Sequence, residues 1–356
     1  MNYSAAILRA QIQAILEALG MPSDYIVTTV DAMVETDLRG VDSHGVGMVP
    51  AYLNMYRRGL IIFDAPIKEV KDLPSLALVD GGHGLGHPVG AYCMELAIKK
   101  CNETGVGMVV ARNSNHYGAA GGYARRALVH GFIGLSTTGT PGMGLVPTFG
   151  KKAMLGTNPI AFAAPARRNP PFVLDMATTT VAIGKLAIAQ RLGLPIPEGW
   201  ALDETGAPTT DAGVAREARR LTALGGNREL GSHKGYGLAT MVDILSSTLS
   251  GAAIPGVEDH LDRNNNSGGN VGHFFMAIDP NVLRDDGAFE DDLDDLIDAL
   301  HATPPADENQ PVLVAGDPEE ECYATRQREG IPLADRLIDE LEVVCLEVGC
   351  NFLLGV

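Results

Sequence analysis

The apolar positions at the start of the chain repeat with the period of an α-helix. Within residues 5–19, Ile7, Leu8, Ile12, Ile15, Leu16 and Leu19 share one face, and Gly20 ends the pattern. The stretch "PSDYIVTTVDAMVETDLRG" predicts a second helix, with Ser23 as its N-cap and Gly40 as its stop. The polar quartet "DSHG" (42–45) follows directly, in a loop or at the start of a third helix, "VPAYLNMYRRG".

Beyond residue 74 short apolar runs alternate with helical patterns. "SLALVD", "GVGMVVAR", "FIGLSTTG", "NPIAFAAPA", "FVLDMAT" and "HFFMAID" read as strands. "VGAYCMELAIKKCNE", "AGGYARRALVHG", "VAIGKLAIAQRLG" and "YGLATMVDILSSTLSG" read as helices. The mixture predicts an α/β or α+β fold whose strand order one sequence does not reveal. Residues 285–300 carry eight acidic side chains among Phe289, Leu293, Leu296, Ile297 and Leu300, an amphipathic helix with a solvated acidic face. "ATPPADENQP" reads as an exposed loop, and "PLADRLIDELEVVCLEVG" as a closing helix. Helices at both ends around a strand-rich middle predict that the two termini pack as one discontinuous helical unit.

Composition narrows the function classes. The chain has 356 residues, enough for about two domains, with 46% hydrophobic and 20% charged residues. A net charge of −17 opposes non-specific binding to nucleic acid or an anionic membrane. No apolar run is long enough to span a bilayer, and the N-terminal pattern reads as an amphipathic helix rather than a signal peptide, so a cytoplasmic location is expected. The five cysteines form no CxxC pair, which argues against a disulfide framework or a structural zinc site.

Several motifs fail on inspection. The glycine-rich run "GGHGLGHPVG" places His87 where the third glycine of GxGxxG belongs, and Walker A is absent. Any dinucleotide site is therefore built differently from a Rossmann turn. Neither GxSxG nor HExxH occurs. His83 and His87 lie four apart, but the glycines around them disfavour a helix and no carboxylate accompanies them. "DRNNNSGGN" from Asp262 resembles the front of a calcium loop, yet its sixth residue is Ser267 and its twelfth His273; it reads as a flexible polar loop, and no metal is expected.

Four polar, glycine-bearing segments survive: "DSHG", "NSNHYGAAGG" (113–122), "LDMATTT" (174–180) and "HKGYG" (233–237). Each lies at the edge of a regular element, where side chains converge on clefts. Two histidines suit proton transfer near neutrality, an aspartate can orient an imidazole, and a lysine followed by glycine can reach a phosphate or ribose.

With "RGVDSHGVGMVPAYLNMYRRG", "ARNSNHYGAAGGYA", "GTNPIAFAAPA", "VLDMATT", "GKLAIAQ", "GAPTTD" and "HKGYGLATMVDILSSTLSG", in that order, the chain resembles the type-2 malate/L-lactate dehydrogenase family. That family also includes ureidoglycolate and sulfolactate dehydrogenases, diketogulonate reductase and cyclic imine reductases. The likeness is nearest to hydroxycarboxylate dehydrogenases that end in "R---GIPL". It implies an NAD- or NADP-dependent oxidoreductase, NAD favoured, acting on a 2-oxo or 2-hydroxy acid. The implied fold is non-Rossmann, with a largely antiparallel central sheet flanked by helices. Residues 73–284 would form the dinucleotide-binding unit, and residues 1–72 with 285–356 the helical unit. A homodimer is implied, with the active site in the cleft between units.

By position, the resemblance gives His44 and His116 to acid–base chemistry, with Ser43 in a relay to His44 and Asp175 holding the charged imidazole. Thr140, Asp175, Met176, Ala177, Lys234, Gly272, His273 and Phe274 would contact the cofactor; Tyr117 and Gly118 would lie beside the substrate. Several relatives carry a substrate-clamping arginine where this chain has Met48. Three other readings compete: a cyclic imine reductase, a non-catalytic dinucleotide-binding relative, and a serine hydrolase using Ser43.

Overall fold

The computed structural model describes residues 1–140, 142–257 and 270–355. Most of the polar run from Asp262 lies outside the described residues.

A two-residue strand, β1 (Asn2–Tyr3), precedes helix α1 (Ala5–Ala18), which the Ser4 hydroxyl caps by accepting the Ile7 N–H. Helix α2 (Ser23–Leu38) begins at Ser23, but Pro22 is the cap residue and no side chain caps the turn. Gly40, at φ +81°, takes the left-handed conformation that stops the helix. Helix α3 (Val49–Arg57) starts one short 3-10 turn after the "DSHG" quartet, which therefore lies in the turn between helices.

Next come β2 (Lys68–Asp72), β3 (Leu76–Asp80), α4 (Gly86–Thr104), β4 (Val106–Ser114) and the short α5 (Gly121–Arg126). They are followed by β5 (Ile133–Thr138), β6 (Ile160–Ala164), β7 (Phe172–Met176) and α6 (Ile183–Leu192). A small three-stranded sheet holds β8 (Ala201–Leu202), β9 (Pro208–Thr209) and, after α7 (Ala212–Ala218), β10 (Arg220–Leu221). Helix α8 (Ser232–Asp243) continues as a π-helical turn, and β11 (Val271–Ile278) returns to the main sheet. The chain closes with α9 (Ala288–His301), α10 (Asp317–Glu329), β12 (Ile331–Pro332) and α11 (Asp335–Val348). No described helix is long and apolar enough to cross a membrane.

The central sheet has seven strands in the order β2-β3-β4-β11-β5-β6-β7. Only β3 and β4 run parallel, joined through α4; every other neighbouring pair is antiparallel. Helix α4 starts three residues earlier than its apolar pattern predicts. Gly86 lies where a Cβ would fall 2.3 Å from the Asn115 carbonyl oxygen, so close packing against the end of β4 decides a glycine-rich first turn.

Two apolar cores organise these elements. One joins Leu8, Ile12 and Ile15 of α1 and Met33 and Val34 of α2 to Leu341, Val344 and Cys345 of α11, bringing the chain ends together. The other packs α4 and α5 against the sheet through Val79, Met94, Val109 and Phe275. Helix α9, assigned in sequence to the helical unit, is held instead by the turn between β6 and β7. The Asp294 carboxylate accepts the backbone N–H groups of Arg167, Arg168 and Asn169 at 3.0, 2.8 and 2.8 Å. The short polar-rich strand β2 and helix α10, which buries no residue, carry no apolar pattern and were not legible in sequence.

Candidate active site

A cavity of about 780 Å³ is lined by one face of α2, the Ser43–His44 turn, the segment from His116 to Tyr123, and parts of β5, β7 and α6. Its size falls within the usual range for small-molecule and cofactor sites. On α2 the lining residues Thr28, Asp31, Glu35 and Arg39 recur every three or four positions, one helical face turned to the cavity.

Two imidazoles dominate one wall. The rings of His44 and His116 stack with centroids 5.4 Å apart and planes 23° from parallel. Ser43 Oγ lies 2.7 Å from His44 Nδ1, and Tyr52 Oη 2.8 Å from His116 Nδ1. The Gly118 N–H also donates to His116 Nδ1, at 3.4 Å. Because a backbone N–H can only donate, Nδ1 accepts and the neutral ring carries its hydrogen on Nε2. Burial lowers both basicities; for His116 the nearby His44 adds to the effect and the pKa falls to about 3. The cluster is therefore neutral across the physiological range.

Asp175 faces the cavity and is exposed there, yet protein rings it closely. Burial raises its pKa to about 6, against the lowering effect of the Gly121 N–H it accepts at 2.7 Å. Its hydrogen bond to Gly121 thus braces the first turn of α5 rather than an imidazole.

The cavity gathers Ser43, His44, His116, Tyr117, Gly118, Thr140, Asp175 and Ala177 on its wall. Other expected contacts lie elsewhere. Met48 packs against the helical core, and Lys234 sits exposed in the first turn of α8, a helix that begins at Ser232, before "HKGYG", rather than at Tyr236 within it. Met176 flanks the wall without lining it. Gly272, His273 and Phe274 are buried behind it, and Val271 reaches the cavity in their place. A Cβ on Gly272 would fall 2.1 Å from the Ser246 carbonyl oxygen, so this strand is pressed against the π-helical turn.

Four contributors escaped the sequence reading. Tyr52, inside the quoted third helix, orients His116. His87, weighed only as half of a zinc pair, lies 1% exposed on the wall with neither ring nitrogen hydrogen-bonded, and its ring meets Tyr52 edge-on at 5.6 Å. Arg39 and Arg125 reach from α2 and α5 to the same Glu320 oxygen of α10. Arg125 Nη1 is buried without a partner, and Gly122 has open space where a Cβ would stand, so this end of the cavity offers an unpaired cationic donor beside free space. The Asp42 carboxylate turns away to Arg326, so the Asp-Ser-His sequence does not assemble a hydrolase triad. No metal-binding cluster of His, Cys, Asp or Glu occurs among the described residues.

The sequence profile of malate/L-lactate dehydrogenases matches residues 3–342. The chain belongs to this family. Malate dehydrogenase from Pyrococcus horikoshii is 41% identical over 95% of this chain and 93% of its own length. L-sulfolactate dehydrogenase from Methanocaldococcus jannaschii is 38% identical over 95% and 94%. The crystal structure of malate dehydrogenase from Entamoeba histolytica covers 99% of both chains with a TM-score of 0.93 at 30% identity. Family membership accounts for the mixed sheet flanked by helices.

Proposed function

We propose that this protein is an NAD(P)-dependent oxidoreductase that interconverts a 2-hydroxy acid and its 2-oxo acid, of the malate or lactate type. The observation that carries this reading is the pair of stacked imidazoles on the wall of a cofactor-sized cavity. When bound, a nicotinamide cofactor supplies or accepts the hydride at the carbon bearing the substrate oxygen. Arg125, Thr140, Asp175 and Ala177 would hold that cofactor.

His116 handles the proton at the substrate oxygen. Tyr52 fixes its ring through Nδ1. With substrate bound the ring takes a second proton, Nδ1–H then donating to Tyr52 Oη, so that Nε2 gives its proton to the forming alkoxide and takes it back in the oxidative direction. A substrate carboxylate entering the cavity brings the negative charge that raises the depressed basicity of His116 toward a working range. His44, set by Ser43, stacks against it and excludes water from one face. The departure at position 48 leaves the carboxylate without the arginine of several relatives, so the accepted acid is a property of this chain. The reading includes a homodimer, for which the exposed Met241 and Ile244 on α8 and its continuation offer apolar surface.

The test is an assay of malate, lactate, sulfolactate, ureidoglycolate and their oxo acids with NAD and NADP, read by nicotinamide absorbance. Turnover of at least one hydroxy acid is expected. Turnover of piperideine-2-carboxylate alone would replace the reading with a cyclic imine reductase, and NADH binding without any turnover would make the chain a non-catalytic relative.

A further inference from the structure

We propose that Arg326 is a positioning residue that holds the Ser43–His44 turn in register with His116. The inference deepens the proposed function and rests on it for the role of His44. Arg326 belongs to α10, in the "R---GIPL" stretch that the catalytic reading leaves without a task. Its guanidinium crosses 284 residues of chain to engage Asp42 with both terminal nitrogens, Nη1 to Oδ1 and Nη2 to Oδ2, the latter at 3.1 Å. Nη1 also donates to the Asp37 carbonyl at 2.6 Å.

The other end of the same turn is held from α2. Asp37 Oδ2 accepts the Val46 N–H at 2.8 Å, and a Cβ on Gly45 would fall 1.8 Å from Asp37 Oδ1, so only glycine fits. Ser43 and His44 thus lie between two anchors, Asp42 tied to Arg326 and Val46 tied to Asp37. Planar bidentate pairing fixes direction as well as distance, which a lysine does only in part. The side chain of Arg326 is 14% exposed while that of Asp42 is 57% exposed, so the cation is the fixed member of the pair. Although α10 fully buries no residue, Tyr323 packs against the helical core, and the Arg326 pair adds a directional polar hold on the turn.

Loosening either anchor lets the imidazole drift from His116 and toward solvent. Losing the His44 stack opens one face of His116 to water and loosens the ring that handles the proton, and a misplacement of about 1 Å there costs on the order of 100-fold in rate. The experiment compares Arg326→Gln, Arg326→Lys, Asp42→Ala and the double variant Arg326→Gln/Asp42→Ala in the full chain. Arg326→Gln and Asp42→Ala should each lower kcat roughly 10- to 100-fold with NADH Kd unchanged, and Arg326→Lys should recover part of the loss. The double variant should fall no further than the worse single one, because both remove one interaction. NMR titration of His44 should show its pKa rising from the buried, lowered value toward the ordinary one in Arg326→Gln and in Asp42→Ala. Asp42 is exposed, so its variant reads the same interaction if the arginine variants fail to fold. Multiplying losses in the double variant, or an unchanged His44 titration in folded variants, would overturn the proposal. The titration needs no turnover, so failure of the dehydrogenase reading shows separately, as absence of activity in the unaltered protein.

Discussion

Two neighbouring regions bury histidines and treat them in opposite ways. Behind the cavity wall, His273 on β11 has both ring nitrogens engaged, Nδ1 by Thr138 Oγ1 at 2.7 Å and Nε2 by Ser114 Oγ at 2.8 Å. Its ring lies flat on Tyr117, with centroids 4.6 Å apart. On the wall, His87 has no hydrogen bond at either nitrogen, and His116 is oriented through Nδ1 only. All three are held neutral by burial, each with a pKa lowered to about 3. The difference lies in the hydrogen bonds. A ring with every polar atom satisfied stabilises the sheet, whereas a ring with spare capacity beside a cavity is available to a ligand.

The carboxylates repeat the contrast. Burial would raise Asp294, but the three backbone N–H groups at Arg167, Arg168 and Asn169 outweigh it and its pKa falls. Asp175 has one backbone donor and a raised pKa of about 6. The locked region fastens α9 to the sheet, and the unlocked one opens on the cavity.

The strongest way to break this comparison is to exchange the histidines. His116→Gln should lower kcat about 10²- to 10⁴-fold with NADH Kd within a few fold, the usual scale for losing an acid–base group. His273→Gln should cost stability and leave kcat per folded molecule nearly unchanged. Stopped-flow turnover and fluorescence titration measure both, and full turnover in His116→Gln would remove that residue from the chemistry.

A smaller effect is expected at Asp294. Asp294→Ala leaves three backbone donors without their acceptor and should lower unfolding free energy by about 3 kcal/mol, with kcat intact. Denaturant melts check this. An unchanged midpoint would mean that water replaces the carboxylate and the lock is nominal.

Much of this contrast was legible in sequence where chemistry is local. The quartet "DSHG" and the run "NHYG" drew attention to His44 and His116, because loop-borne histidines stand out from any apolar period, while Tyr117 and Gly118 came only through the family resemblance; all four line the cavity. The helices with strong stripes, α1, α9 and α11, were legible for the same reason in reverse. Contacts made across the chain were not. His273 stands beside a glycine as His44 does, and only strand pairing reveals that hydroxyls from β4 and β5 meet it. Asp294 looked like one more acid on a solvated face, since nothing in its helix signals the turn of Arg167 to Asn169 that it caps. Helix α10 has no apolar stripe to announce it, so the reach of Arg326 and Glu320 was invisible until the fold brought them across.

The finest test of the comparison uses pH and the unpartnered ring of His87. An imidazole whose pKa is about 3 when folded and about 6.5 when unfolded binds more protons in the unfolded chain below neutrality. Its contribution to stability is fully present above pH 6.5 and is lost as pH falls toward 3. Near pH 5 the loss from this one group is about 2 kcal/mol. His87→Phe keeps the ring volume, removes both unsatisfied nitrogens and cannot take up a proton. Relative to the unaltered protein, the variant should therefore gain stability progressively between pH 7 and pH 5, measured as the difference in unfolding free energy at each pH. His273, titrating over the same window, remains in both proteins and cancels from the difference. A pH-independent difference would show that His87 finds a partner in solution, and its place on the unsatisfied side of the comparison would then be lost.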